Sequence, residues 1–135
     1  MYNGIYNKEQ YAYVYDTLIK WLEIKIQGGG LGKKMVEKSI QKVALYGVNG
    51  LGKLFYQDIK DYGVEVTCFI DKNAERYEKN KDSLVVLNLN QLEQLEKDCY
   101  IIVTPEYYFQ EIMLELLNRG ISLERIISLS MVVSL

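Results

Sequence analysis

The sequence predicts an α/β protein built on a doubly wound, mostly parallel sheet of five strands in the order 3-2-1-4-5, preceded by a helical extension. Three observations carry that expectation. From Lys42 onward, short β-branched apolar runs alternate with amphipathic segments, the pattern of parallel strands joined by crossover helices. A glycine-rich turn joins the first run to a helical segment. An aspartate, Asp71, ends the second run.

The chain has 135 residues, 49% of them apolar, enough for one domain to bury a core without disulfide or metal staples. Asn7 and Gln10 form a capping pair that opens a helix, and Tyr11, Val14, Tyr15, Leu18, Leu22 and Ile26 recur along it at helical spacing. Gly28, Gly29 and Gly30 end it. Trp21 and Ile24 fall off that stripe and widen the apolar surface, so the helix is expected to meet a second neighbour. Packing within the chain's own core is the weightier reading, and a homodimer through this helix is the alternative. Met35, Val36 and Ile40 among lysines give a short second helix within 31–40. Residues 1–41 are therefore read as a helical extension and 42–135 as the α/β domain.

The strands are read at 43–46, 64–70, 84–87, 100–103 and 126–129, and helices at 50–62, 74–79, 89–96 and 106–118, with Gly120 as a stop. The apolar tail 130–135 suggests another strand or a buried contact. Right-handed crossovers give the order 3-2-1-4-5 and a ligand crevice where the winding reverses, between strands 1 and 4.

Composition excludes several functions. The net charge is −2 and basic residues are interspersed with acids apart from Lys33-Lys34, so no nucleic-acid partner is expected. No apolar run approaches the roughly 18 residues of a membrane span, and the first ten residues lack a basic segment followed by an apolar one. A cytoplasmic location follows as the expectation. The chain has no histidine, which removes Ser-His and Cys-His catalysis and, with only two cysteines, the familiar zinc clusters. Cys68 and Cys99 read as buried, reduced thiols. Strand 1 would separate them beyond the roughly 4.4–6.8 Å between α-carbons that a disulfide requires.

The segment Gly47-Val48-Asn49-Gly50-Leu51-Gly52 follows the first strand and opens a helix, with the spacing of G-x-G-x-x-G and asparagine at the second glycine. Gly47 permits a tight exit from the strand, Gly50 frees the helix start, and Gly52 allows helix and strand to approach closely. Backbone N–H groups at such a start attract a diphosphate without a basic side chain. Asp71 lies nineteen residues beyond Gly52, where a carboxylate accepts hydrogen bonds from a ribose diol. The competing reading is that Asp71 and Asn73 only shape the turn and cap the next helix, while Lys72 favours a phosphate.

Thr104-Pro105-Glu106 reads as N-cap, first helical residue and first-turn acid, which capping alone explains. Because the loop borders the crevice, Thr104, with Tyr107 or Tyr108, is also a candidate nucleotide contact. Two Tyr-x-x-x-Lys patterns, Tyr56 to Lys60 and Tyr77 to Lys81, are chance matches in a chain with twelve tyrosines. They follow strands 1 and 2, whereas the pair of short-chain dehydrogenases follows strand 4.

The stretches ALYGVNGLGK, VTCFIDKN and YIIVTPEYYFQEI resemble the Rossmann domains attached to bacterial surface-polysaccharide enzymes: nucleotide-sugar epimerases and dehydratases, sugar acyltransferases and sugar methyltransferases. Residues 42–130 are covered. Gly47, Gly52, Asp71 and Asn73 match the pattern of those domains, and Asn49 departs from their usual glycine. The turn itself is similar to G-x-N-G-x-G of glyceraldehyde-3-phosphate dehydrogenase, whose catalytic domain has no counterpart here. The resemblance implies a Rossmann-like module that binds NAD, NADP or a nucleotide-sugar such as a UDP-sugar in cell-surface polysaccharide metabolism, with no reaction carried by this chain alone. Two alternatives stand beside it: a small nucleotide-sugar oxidoreductase or transferase assembled as a homodimer, and a degenerate scaffold that binds protein only.

Overall fold

A computed structural model of the chain describes residues 7–77 and 84–135. Five strands, β1 (Lys42–Tyr46), β2 (Glu65–Ile70), β3 (Val86–Leu87), β4 (Tyr100–Val103) and β5 (Ile126–Ser128), form one all-parallel sheet in the order β3-β2-β1-β4-β5. This is the expected Rossmann-like order. Parallel strands joined by crossovers have both faces covered, so central strands carry continuous apolar runs rather than alternating ones. Val43, Ala44 and Leu45 in β1 and Ile101, Ile102 and Val103 in β4 are all fully buried.

Among the described residues five α-helices flank the sheet: α1 (Lys8–Ile26), α2 (Leu31–Glu37), α3 (Leu51–Ile59), α4 (Phe109–Asn118) and α5 (Leu129–Val133). On one face Val43, Leu45 and Phe69 pack with Trp21, Met35, Phe55 and Leu129, so the helical extension shares the core of the α/β domain. On the other, Ala44, Ile70 and Ile101 pack with Leu92, Ile112 and Leu116.

The N-terminal capping box is present: the Gln10 N–H donates to Asn7 Oδ1 and the Asn7 N–H to Gln10 Oε1, each at 2.9 Å. The buried face of α1 differs from the expected stripe. Val14, Thr17 and Trp21 are buried, while Tyr15, Leu22 and Ile26 are 62%, 55% and 75% exposed. Trp21, expected off the stripe, is the anchor. Its Nε1 donates to Asp58 Oδ2 at 2.7 Å, Lys25 Nζ lies 2.9 Å from Asp58 Oδ1, and the Leu31 N–H at the start of α2 donates to Oδ2 at 3.3 Å. A side chain with both an apolar body and a donor is drawn to the one buried carboxylate on α3, which turns the helix about its axis and leaves Tyr15, Leu22 and Ile26 outside.

Three expected helices change character. The segment read at 74–79 contains a 3₁₀ turn at Ala74–Arg76, with residues 78 and 79 outside the described residues. The one at 89–96 is 3₁₀ over Leu89–Gln94, opened by a capping box between Asn88 and Gln91. That at 106–118 starts as a 3₁₀ turn, Glu106–Tyr108, before α4. At the C-terminus Ser128 ends β5 and accepts the Met131 N–H at 3.1 Å, so the tail becomes α5, whose Val132 and Val133 are buried.

Cys68 in β2 and Cys99 before β4 lie on strands either side of β1, and both are buried and free. Between them the β1–β2 register shifts at Val43/Ala44, leaving Thr67 as an extra residue. Its Oγ1 donates to the Val43 carbonyl at 3.2 Å and lies 3.6 Å from Cys99 Sγ. Burial holds the Cys68 thiol up at about 11 and raises that of Cys99. Among the described residues no helix is long and apolar enough to cross a membrane.

Candidate functional site

The glycine turn leaves β1 at the point where the sheet order reverses, with β2 on one side and β4 on the other. Gly47 adopts φ +105°, and a Cβ there would fall 2.6 Å from Thr104 Oγ1. A Cβ on Gly52 would collide with the Gly47 carbonyl oxygen. The two glycines therefore let β1, α3 and the end of β4 converge. Gly50, at φ 58° and ψ −123°, makes the bend into α3. The N–H groups of Gly50 and Leu51 have no hydrogen-bond partner among the described residues. An open helix start of this kind is a region of positive potential.

A cavity of about 650 Å³ lies over this turn. Of the residues read from the sequence, Gly47, Val48, Asn49, Gly50, Leu51, Asp71, Lys72 and Thr104 line it, with Asn73 and Tyr108; Gly52 lies behind the turn and Tyr107 outside the lining. Asp71 Oδ2 accepts the Val48 N–H at 3.3 Å and Oδ1 the Asn73 N–H at 2.9 Å. It braces the turn and remains half-buried at the cavity wall, leaving further lone pairs of the carboxylate unengaged by these two bonds. Asn49 replaces the usual glycine without blocking the turn because its Nδ2 is drawn aside to Tyr77 Oη, 2.8 Å away.

Thr104 corrects the capping expectation, whereas Glu106 is the first-turn acid expected, now of a 3₁₀ turn. Thr104 Oγ1 donates to the Tyr46 carbonyl at 2.7 Å and ties β4 to β1. The buried Glu106 reaches across the fold to accept the Ser130 N–H of α5 at 3.2 Å. Pro105 stands before the 3₁₀ turn and supplies no side-chain cap. Local spacing suggested a cap at Thr104; partners 58 and 24 residues away took the two side chains.

One wall was absent from the sequence reading. Gln10, Tyr11, Val14 and Leu18 of α1 line the cavity opposite the glycine turn. Gln10 Nε2 donates to Tyr108 Oη at 2.7 Å, and the Tyr13 and Tyr107 rings meet edge to face at 5.6 Å between centroids, so α1 is fastened to the loop after β4. Asn7 and Gln10 were legible as a cap, but nothing local to them signals a contact 98 residues away. Tyr46 was also missed. It lines the cavity from β1, is 5% exposed, and its hydroxyl has no protein partner. Burial, with the carboxylates of Glu115 and Asp71 near it, pushes its pKa up to about 12.

Among the described residues no group of three His, Cys, Asp or Glu side chains is arranged to hold a metal ion. The arrangement suits binding: an open helix start for an anion, a carboxylate for hydroxyl donors, and apolar walls from Val14, Leu18 and Leu54. No curated protein and no solved structure matched the chain. A family model described as C2185-like, N-terminal matches residues 39–127, which is most of the chain, and the protein belongs to that family.

Proposed function

We propose that this chain is a cytoplasmic nucleotide-binding module, taking NAD, NADP or a nucleotide-sugar at the glycine turn, and that it carries no reaction by itself. The observation that supports this reading most is the unpartnered pair of N–H groups at Gly50 and Leu51 beside a 650 Å³ cavity at the sheet's reversal point. A diphosphate against those groups replaces the water they otherwise need, with Lys72 at the same cavity wall. The lone pairs that Val48 and Asn73 leave unused on Asp71, at the cavity wall, support its accepting from a ribose or sugar diol. The resemblance of the glycine turn and of the 66–73 stretch to surface-polysaccharide enzymes points to a sugar pathway as its setting.

The test is a thermal-shift panel with NAD, NADP and UDP-sugars, followed by calorimetry on any ligand that responds. A ligand at a hundred times its Kd stabilises the native state by about 2.7 kcal/mol, a shift of several degrees for a domain of this size. One of the three is expected to produce it. No response from any at millimolar concentration overturns the proposal.

A protein-binding scaffold is the second reading, and one observation favours it: both oxygens of Asp71 already accept backbone N–H groups, and the Asn49 amide is tied to Tyr77. Under that reading the polar groups of the turn serve the turn alone. The same panel separates the two, because a scaffold gives no nucleotide shift.

A further inference from the structure

We propose that α1 is the seam of a homodimer in which two copies pair their first helices antiparallel about a two-fold axis, and that this pairing roofs the crevice. Tyr11, Tyr15, Leu18 and Leu22 are spaced four, three and four residues apart, the repeat that keeps a helix face turned toward a second helix. All four are exposed, as are Ile19 and Ile26 beside them. Leu54 of α3, 54% exposed, extends the face. Between Leu54 and α1 lies an apolar groove of about 460 Å³, floored by Trp21 and edged by Leu18 and Leu22.

The extent of the face fits a second copy. Seven large apolar side chains exposed to this degree amount to several hundred Å², comparable with the ~800 Å² that each partner contributes to a standard interface and large for an uncovered patch on a monomer. The charge of the helix points the same way. Lys8, Lys20 and Lys25 balance Glu9, Asp16 and Glu23, so α1 has no net attraction for an anionic lipid surface, and two copies meet without net repulsion. The face runs from Tyr11 to Ile26 with its midpoint at Leu18 and Ile19, where a two-fold axis makes the contact self-complementary.

The groove and the crevice are continuous. Leu18 and Leu54 line both, and Tyr11 belongs to the crevice wall and to the exposed face. A copy seated on α1 therefore covers the outer rim of the cavity as well as the groove.

The test is sedimentation equilibrium of the full chain without ligand, so its outcome is independent of whether any nucleotide binds. A dimer is expected in the micromolar range. Leu22→Glu is expected to weaken it by roughly 30-fold or more, the scale of an interface hot spot, with circular dichroism unchanged because Leu22 is mostly outside its own core, and melting lowered only by the stabilisation that pairing supplied. Tyr15→Glu serves the same end should Leu22→Glu fail to fold. A wild-type monomer throughout that range, or a dimer indifferent to a folded variant, overturns the seam. Hydrogen exchange tests the roof: amides in 47–54 are expected to exchange more slowly in the wild-type dimer than in the Leu22→Glu monomer, and equal rates overturn that half.

Discussion

Two aspartates, each beside a glycine-containing bend and the start of a helix, serve opposite ends. Asp58 is 7% exposed and takes three donors: the Trp21 indole, the Lys25 ammonium and the Leu31 N–H. Asp71 is half-buried and takes two, the N–H groups of Val48 and Asn73. At Asp58 the carboxylate takes the first N–H of the neighbouring helix together with two side-chain donors. At Asp71 the carboxylate takes the N–H ahead of the bend and leaves Gly50 and Leu51 open. A buried carboxylate that gathers three donors fastens the fold, whereas one that braces a turn at a cavity wall leaves a place for a ligand.

Substitution sharpens the contrast. Asp58→Ala strands a buried indole N–H and a buried backbone N–H, and is expected to cost about 3 kcal/mol in urea unfolding, while any nucleotide shift persists. Asp71→Ala is expected to cost about 1 kcal/mol, since water can reach the freed donors, but to weaken nucleotide binding at least about 10-fold, the worth of a charge-assisted hydrogen bond. Equal stability losses from the two variants would erase the distinction.

Tyr46→Phe probes the Asp71 side through its unpartnered hydroxyl. Removing a buried, unsatisfied group is expected to stabilise the protein by up to about 1 kcal/mol at neutral pH. The folded pKa of about 12 lies above the ordinary value of 10.0, so the unfolded chain releases this proton first and stability falls as pH rises through that window. The phenylalanine variant is expected to show a shallower alkaline fall in urea titrations at successive pH values. The smallest effect falls on the Asp58 side. Lys25→Met is expected to cost less than about 1 kcal/mol, because the Lys25 side chain is 43% exposed and its attraction is screened. Its hydrogen bond to Asp58 raises the Lys25 pKa, so that contribution is complete below the ordinary 10.5 and is lost as pH rises through the raised value. A methionine variant whose melting matched wild type at neutral pH and above would show that the bridge contributes nothing.

Legibility followed the range of the interaction. The four residues of β4 and the Asn7–Gln10 box read correctly because strand run and cap are local patterns. Sheet order also read correctly, because crossover handedness restricts it once five runs are found. The glycine turn and Asp71 were legible as a motif, and all of it but Gly52 lines the cavity. What failed depended on distant partners: Trp21 was misplaced because Asp58 is 37 residues away, and the wall formed by α1 depends on its attachment to Tyr108. Leu89–Gln94 read as a regular helix because apolar spacing does not distinguish a 3₁₀ path, which here kinks at Gln91.

The burial of both cysteines has a practical consequence at the bench. With its pKa held at about 11, the Cys68 sulfur is a thiolate in only about one molecule in ten thousand at neutral pH, and the Cys99 thiol, buried and likewise raised, shares that inertness toward alkylating dyes. A maleimide will therefore ignore both native sulfurs, and a single cysteine placed on the outer surface of α1 becomes a selective attachment point for a fluorophore in the otherwise natural sequence.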